Sequence, residues 1–176
     1  SVWIISRLPV LDAPFINKGE QHFSFEQIQT FSQGNVSSCF GTEFYLANTH
    51  TRTPTIAQDT MLFLRGPLEV QPKGGVWGRG YLRCEVDIHP DDWFFEGHFK
   101  NDPCMPGTLM FEGCLQAMAF FLASQGHTVE RDGWRFQPMR HRPYPLRCRG
   151  QVTPQSKKLI YEIFVEEICA GPIPYL

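Results

Sequence analysis

One stretch, from Thr108 to about Gln125, constrains the fold more than any other. When it is placed on a helix of 3.6 residues per turn, its apolar side chains cover nearly the whole circumference. These side chains are Leu109, Met110, Phe111, Cys114, Leu115, Met118, Ala119, Phe120, Phe121 and Leu122. A helix that is apolar on all sides is buried. We therefore predict one helix, roughly 27 Å long at 1.5 Å per residue, enclosed by the rest of the chain.

The composition is that of an ordinary globular domain with no strong attraction to polyanions. A length of 176 residues allows one domain with a full hydrophobic core. Hydrophobic residues make up 42% of the chain, and 15 Phe, 4 Trp and 5 Tyr provide for a large apolar interior. The net charge of -2, without a dense basic run, disfavours binding to nucleic acid or to an anionic membrane.

The cysteines and the hydropathy pattern indicate a soluble, cytoplasmic protein. The six cysteines include no Cys-x-x-Cys pair, so we expect reduced thiols that act as small apolar side chains: Cys39, Cys84, Cys104, Cys114, Cys148 and Cys169. No apolar run reaches the length of a membrane span, and no basic-then-apolar leader precedes the fold. Four histidines lack metal-ligand spacing, and a fifth, His89, fits a surface turn; the four are His22, His50, His127 and His141. No metal site is expected.

The segment before the first strands predicts a short helix followed by a loop. Ser24 and Gln27 have the spacing of a capping box, and the apolar residues that follow recur at helical spacing to about Gln33. The segment Gly34–Asp59 is rich in Gly, Asn, Thr and Pro, which indicates an ordered surface loop.

Strand patterns occur on both sides of the buried helix. In the clearest, Gly80–Ile88, apolar and polar residues alternate as in a half-buried antiparallel strand, after a hairpin turn at Lys73-Gly74-Gly75. Further strands are predicted at Met61–Leu64, Trp134–Met139, Leu146–Val152 and Lys157–Ile168. Antiparallel strands on both sides of one buried helix indicate an α+β fold in which a curved sheet wraps the helix.

The ends of the sequence indicate that it is part of a longer polypeptide. Residues 1–19 are predicted to be a linker or the end of a preceding domain, and residues 20–176 the folded domain. The expected sheet still lacks strands after Leu176.

The chemistry-bearing residues are concentrated around the start of the buried helix. An aromatic run, Trp93-Phe94-Phe95, precedes the pair His98-Phe99. The segment Asp102-Pro103-Cys104-Met105-Pro106-Gly107 then leads to one carboxylate, Glu112, within the apolar helix. This composite motif closely resembles that of the FabA-type β-hydroxyacyl-acyl carrier protein dehydratases, and the similarity extends from about Phe23 to Ile168. The sequence of the motif is most similar to that of the dehydratase domains in polyunsaturated fatty acid and polyketide synthases.

The resemblance implies a hot-dog fold, in which an antiparallel sheet wraps one long helix, and a lyase activity. The expected substrate is a β-hydroxyacyl chain on the phosphopantetheine of an acyl carrier protein, and no cofactor is required. In such enzymes the histidine and the carboxylate of one site come from two facing hot-dog units. The expected partners are therefore an acyl carrier protein and either a second copy of this chain or a second hot-dog domain of the same polypeptide.

Dehydration needs a base for the C2 proton, an acid for the departing hydroxyl and a donor to the thioester oxygen. His98 is the candidate base because imidazole titrates near neutral pH; the resemblance implies that a backbone carbonyl, that of Cys104, orients its ring. The Gly107 amide at the helix start is the candidate oxyanion donor, and Glu112, in an apolar setting, the candidate acid. Residues expected to contact substrate are Phe95, Phe99, Cys104, Met105, Pro106, Thr108, Phe111, Leu115 and Gln116.

Other interpretations of the same residues remain open. The His98 and Glu112 pair could also isomerise trans-2 to cis-3 enoyl chains, and some hot-dog proteins hydrolyse thioesters. A non-catalytic hot-dog partner that binds acyl chains beside an active unit is the alternative of another class. Without a base motif beside it, Cys104 is interpreted as pocket lining rather than a nucleophile. Four arginines could contact a carrier protein, although a solvated strand face is the commoner explanation: Arg140, Arg142, Arg147 and Arg149.

Overall fold

A four-stranded antiparallel sheet organises the fold. The computed structural model describes residues 19–139, 143–147, 149–168 and 176. The strands lie side by side in chain order: β1 (Gln21–Phe23), β2 (Leu68–Gln71), β3 (Tyr81–Asp87) and β4 (Lys158–Phe164). The helices are α1 (Phe25–Ser32), α2 (Val36–Phe40), α3 (Tyr45–Asn48) and α4 (Gly107–Ser124). Short 3-10 turns lie at Thr42–Phe44, Asp59–Met61 and Trp93–Phe95.

Strand β3 has the alternation that the sequence predicts. Leu82, Cys84 and Val86 are buried, whereas Arg83 and Glu85 lie on the outer face. Opposite this strand, β4 pairs in the register Cys84↔Tyr161 and Leu82↔Ile163. The outer face carries polar pairs, among them Lys158 with Glu85 at 2.8 Å. The sheet therefore has one apolar face that covers the helix and one polar face.

Helix α4 lies against the apolar face of the sheet and is in contact with β4 and β3. Its bounds agree with the predicted helix to within one residue at each end. It is long and apolar enough to cross a bilayer, but half of that span is buried in the domain. An antiparallel sheet packed on one long helix confirms the predicted hot-dog fold.

The prediction of burial on all sides is wrong for the first half of α4. Phe120, Phe121 and Leu122 are fully buried, whereas Leu109 and Phe111 are only half-buried. Strand β1 and helices α1 and α2 contribute to the burial of the second half. Aromatic side chains of this N-terminal region pack against Phe120 at ring-centroid distances of 5.1 to 5.5 Å: Phe23, Phe31 and Phe40.

The predicted first helix is confirmed, but the loop predicted for Gly34–Asp59 contains α2 and α3. The Ser24 side chain accepts from the Gln27 backbone, and the Gln27 side chain accepts from the Ser24 backbone, which is the capping box. Between α2 and α3, the Asn48 side chain accepts from Ser37 N–H and donates to Ser37 Oγ. Polar residues that indicated a loop therefore hold two short helices together.

Several strand predictions are wrong. Met61–Leu64 is not a strand, because part of its backbone bonds to a glutamine side chain rather than to a neighbouring strand. Trp134–Met139 is not a strand either, and neither are the described residues of Leu146–Val152, where Leu146 is 52% exposed. Only the central part of Lys157–Ile168 forms a strand, β4.

Strands β1 and β2 have three and four residues, too short for their alternation to stand out. The predictions for residues 1–18, Arg140, Arg142, Cys148 and Cys169 lie outside the described residues.

Candidate active site

The loop that carries His98 is fixed by buried aromatic residues and by its own backbone. Phe94 and Phe95 are buried and anchor the 3-10 turn before it. Further along, Phe99 N–H donates to the Asp102 carbonyl and Asp102 N–H to the Phe99 carbonyl, both at 3.1 Å, which closes a tight turn. The Cys104 N–H donates to the His98 carbonyl at 2.7 Å. These contacts hold the half-buried His98 side chain at the entrance of the helix.

The imidazole of His98 is oriented through its Nδ1 atom. Nδ1 lies 3.0 Å from the Cys104 carbonyl oxygen, the contact expected from the resemblance. Because a carbonyl only accepts, this hydrogen bond favours the tautomer with the proton on Nδ1 and leaves the Nε2 lone pair free. The ring borders an open cavity of about 540 Å³, lined by Trp93, Phe94, Glu96, Gly97, His98 and Pro106.

The thiol of Cys104 lies 3.4 Å from the same Nδ1 atom. The sequence offered no base beside this cysteine, because the two residues are six positions apart and the turn that joins them has no recognisable pattern. Cys104 is a free, buried thiol. Since its backbone carbonyl and its sulfur both face one imidazole nitrogen, Cys104 is a neighbour of His98 rather than part of a separate site.

Helix α4 starts at the wall of the His98 cavity, which Pro106 lines directly before Gly107. Pro106 is the N-cap residue, and its carbonyl accepts from Leu109 and Met110 N–H. On the other side, Met105 N–H donates to the Val152 carbonyl at 2.8 Å. Gly107 is the first helical residue, so its N–H has no acceptor within the helix. A helix start of this kind favours a partial negative charge at the Gly107 amide.

The Glu112 carboxylate accepts a hydrogen bond from Gln116, whose side-chain amide makes hydrogen bonds through both its nitrogen and its oxygen. Gln116 is buried, and its Nε2 donates to Glu112 Oε1 at 2.9 Å and to the Met61 carbonyl at 2.7 Å. Its Oε1 accepts from Phe63 N–H at 2.9 Å. The glutamine side chain thus joins Glu112 to the irregular segment around Leu62. The spacing of four residues on α4 places Glu112 and Gln116 side by side.

Glu112 faces a second cavity, of about 230 Å³. Its lining comes from one face of α4 and from two segments without regular structure: Thr55, Ile56, Ala57, Glu112, Leu115, Gln116, Ala119, Phe136, Gln137 and Pro138. The two outer segments were not predicted to contribute, because neither has a motif and both are distant from α4 in sequence.

Gly113 permits the close approach of β4 behind Glu112. A Cβ atom at Gly113 would overlap the ring of Tyr161, which is buried against the helix. Burial raises the pKa of the Tyr161 hydroxyl above its ordinary value of 10, with smaller contributions from Cys114 and other neighbours, so this hydroxyl is neutral. The requirement for glycine at this position could not be deduced without knowing that Tyr161 faces it.

The structure divides the predicted site residues between the two cavities. Pro106 lines the cavity of His98, whereas Leu115 and Gln116 line that of Glu112; among the described residues, the two cavities share no lining residue. Several of the others are buried and support the His98 loop, namely Phe95, Cys104 and Met105. Phe99 and Thr108 are exposed, and Phe111 packs near Tyr144 at a ring-centroid distance of 6.1 Å. Arg147 and Arg149 are exposed.

Within the described part of the chain, no three His, Cys, Asp or Glu side chains converge in a way that could hold a metal ion. The His98 cavity can instead offer an imidazole nitrogen and, beside Pro106, a helix-start amide, and the second cavity offers the Glu112 carboxyl group. Such a set suits proton transfer next to a thioester carbonyl.

Comparison with known proteins gives a matching family model and related curated proteins. The family model of the FabA-like domain matches residues 56–176, which is more than half of the chain. A subunit of the polyunsaturated fatty acid synthase of Thraustochytrium sp. (strain ATCC 26185 / S-3) is 28% identical over 160 residues. That alignment covers 91% of this chain and 10% of the relative, so the chain spans about a tenth of the length of the relative.

Proposed function

This chain belongs to the FabA-like domain family, and on that premise we propose that it dehydrates β-hydroxyacyl chains held as thioesters on an acyl carrier protein. The family and the synthase relative support a dehydratase or isomerase type of hot-dog function in fatty acid synthesis. The observation that carries the finer assignment is the hydrogen bond from His98 Nδ1 to the Cys104 carbonyl at 3.0 Å. It leaves Nε2 as a base beside an open cavity.

In the proposed reaction, Nε2 of His98 takes the proton from C2 of the acyl chain. The C2–H electrons form the C2=C3 double bond as the C3–O bond breaks, and the carboxyl of Glu112 gives its proton to the departing hydroxyl, which leaves as water. The products are a trans-2-enoyl thioester, an imidazolium and a carboxylate. Transfer of a proton from His98 back to Glu112 through solvent restores both groups. No cofactor takes part in these steps.

Charge develops on the thioester oxygen while C2 loses its proton. A donor fixed in advance at that oxygen stabilises the enolate more than it stabilises the substrate. The Gly107 N–H fits this role because it belongs to the first residue of α4 and has no acceptor within the helix. The position of Pro106 on the wall of the His98 cavity supports this assignment.

Glu112 is the proton donor of the proposed reaction. Its carboxyl group faces the second cavity, whose wall includes Leu115, Ala119 and Phe136. Gln116 donates one hydrogen bond to the Glu112 Oε1 atom and thereby fixes the orientation of the carboxyl group. In the proposed mechanism, Gln116 is a positioning residue and Glu112 the acid.

The reaction is proposed to take place between two hot-dog units, with His98 from one and Glu112 from the other. The separate cavities of the two residues within one chain support this arrangement. So does the apolar surface beside them, where Trp93 and Phe99 are exposed and the first half of α4 is half-buried. The facing unit is a second copy of this chain or a neighbouring hot-dog domain of a multidomain synthase.

The direct test is to incubate the protein with a β-hydroxyacyl thioester on an acyl carrier protein and to follow the loss of water by mass spectrometry. We expect enoyl product with the parent, and a loss of roughly 10²-fold to 10⁴-fold in His98→Ala and in Glu112→Gln. Matched controls are His22→Ala and Glu130→Gln, which change the same residue types away from both cavities. Equal loss in the controls, or full activity in Glu112→Gln, would overturn the assignment.

Assays of the same purified protein distinguish dehydration from the other activities that hot-dog enzymes perform. A trans-2-enoyl thioester offered as substrate gives a cis-3 product if the protein is also an isomerase. Free acid released from either thioester indicates hydrolysis. A dimeric, folded parent that forms none of these products is a non-catalytic partner, and the assay is then repeated with the neighbouring domain present.

A further inference from the structure

The cavity beside Glu112 follows the axis of α4. Four of its lining residues lie on one face of the helix at intervals of three and four positions: Glu112, Leu115, Gln116 and Ala119. From Glu112 to Ala119 the helix rises by roughly 10 Å. Leu115 follows Glu112 along this face, and Ala119 lies at its C-terminal end. The polar group between them, the Gln116 amide, is bonded to Glu112 and to the backbone on either side of Leu62.

The wall opposite this helix face is also mainly apolar away from Glu112. Ile56 and Ala57 come from one segment, and Phe136 and Pro138 from another. Thr55 and Gln137 add polar groups at single positions. A surface that begins at a catalytic carboxyl and continues along apolar side chains matches the shape of an acyl chain whose reacting carbons lie at Glu112.

The described lining of the cavity stops at Ala119. The next residues on the same face, Leu122 and Ala123, are fully buried. Leu122 is the centre of a small apolar cluster, separate from the main core, in which it packs with Leu115, Trp134 and Phe136. Two members of that cluster, Leu115 and Phe136, also line the cavity. Leu122 therefore packs directly against two of the residues that line the cavity.

We propose that Ala119 and Leu122 together set the length of acyl chain that this protein accepts; this inference rests on the proposed function. The methyl group of Ala119 forms the floor of the cavity, and Leu122 is the barrier behind it. The cavity has a volume of about 230 Å³. An apolar cavity of about 150 Å³ holds the six carbons of benzene, so in proportion this cavity holds roughly nine carbon atoms. The site thus suits medium chains.

Two substitutions should move this limit in opposite directions. Ala119→Leu places three more carbons inside the cavity and shortens it. Leu122→Ala removes three carbons from the barrier and lengthens the cavity. Leu82→Ala is the matched control, because it deletes the same atoms from a fully buried leucine on β3, which does not line the cavity. It should lower stability without changing chain-length preference.

The test combines binding with turnover. Saturated acyl-pantetheine thioesters of increasing length, which cannot lose water, are titrated calorimetrically into each variant. For the parent we expect affinity to rise with length and level off at about nine carbons in the cavity. The plateau should come about three carbons earlier in Ala119→Leu and later in Leu122→Ala. In turnover, Ala119→Leu should lower kcat/KM for the longest substrates at least about tenfold relative to the shortest.

The two readouts separate this inference from the proposed function. A parent that binds with the expected plateau but dehydrates no chain contradicts the proposed function and supports the length limit. Dehydration with a plateau that stays at the same length in all variants contradicts the length limit and leaves the proposed function standing. An affinity that rises without any plateau in the parent, or a shift in Leu82→Ala as large as that in Leu122→Ala, also overturns the inference.

Discussion

Both halves of α4 carry apolar side chains, but the two halves have different surroundings. In the first half, from Gly107 to Gln116, side chains such as Leu109 and Phe111 remain half-buried, and Glu112 faces a cavity. In the second half, Phe120 and Phe121 are buried by the sheet and by the short N-terminal helices. An apolar helix is therefore not uniformly a core helix. Where the domain itself leaves the helix uncovered, the apolar surface remains accessible, and under the proposed function substrate and a facing unit cover it.

The comparison predicts that substitution of Glu112, which faces a cavity in the first half, changes activity, and that substitution of Phe120, which the core buries in the second half, changes stability. The largest effect is expected for Glu112→Gln, which should lower dehydration roughly 10²-fold to 10⁴-fold because the amide cannot supply a proton. Its free energy of unfolding should change by less than about 1 kcal/mol, since an amide can still bond to Gln116. Steady-state kinetics and urea denaturation measure the two quantities.

If Glu112→Gln unfolds as readily as a core variant, the first half of α4 is structural and the contrast between the halves is lost.

The counterpart in the second half is Phe120→Ala. It should lower the free energy of unfolding by about 3–5 kcal/mol, because it removes a buried ring that packs on Phe23, Phe31 and Phe40. Under conditions where it stays folded, its kcat should remain close to that of the parent. A kcat loss as large as that of Glu112→Gln would contradict the division.

A pH dependence of stability should arise just beyond the second half of the helix. His127 is buried, and burial, with the nearby positive charge of Arg131, lowers its pKa to about 4 from 6.5. Between those pH values the unfolded chain binds a proton that the folded chain excludes, so stability falls as the pH drops from 6.5 towards 4. The loss should be about 2–4 kcal/mol.

Chemical denaturation across this pH range measures the effect, and His127→Leu provides the comparison. In the variant, the slope of the free energy of unfolding against pH should decrease between pH 6.5 and 4 by the amount that one bound proton contributes. The same pH slope of stability in both proteins would show that another group is responsible. It would also show that solvent reaches His127 more easily than its burial indicates.

The smallest predicted effect concerns Gln116, at the boundary between the two halves. Gln116→Leu removes the partners of Phe63 N–H and of the Met61 carbonyl, which should cost about 1–3 kcal/mol. It also removes a hydrogen bond to Glu112, so kcat should fall with little change in KM. Gln125→Leu is a control at the far end of the same helix, away from both cavities. A stability loss without any change in kcat would assign Gln116 to the core alone.

How far the sequence could predict this structure also differs along the chain. The motif around His98 and Glu112 predicts candidate catalytic residues from their types and spacing, and their roles stay predictions. The bounds of α4 follow from its apolar run. Its uneven burial does not, because periodicity describes the helix itself and not the number of elements that cover each half.

Non-local packing explains what the sequence did not reveal. The segment around Leu62 is apolar like a strand, but its backbone bonds to Gln116, more than fifty residues away. Ile56 and Phe136 carry no motif, and only the fold brings them to the wall of the Glu112 cavity. Strand β2 is four residues long and is defined by its pairing with β3 rather than by its own pattern.

The central claim is that His98 and Glu112 of one chain serve two different reaction centres. The most direct measurement is to unfold, mix and refold the two inactive variants, His98→Ala and Glu112→Gln, and to assay dehydration of a β-hydroxyacyl thioester. In a mixed dimer, one of the two centres has an intact histidine from one chain and an intact glutamate from the other. We predict recovery of about a quarter of the parent activity for random mixing of a symmetric dimer. Mixed dimers that form, as seen by native mass spectrometry, but remain inactive would contradict the account.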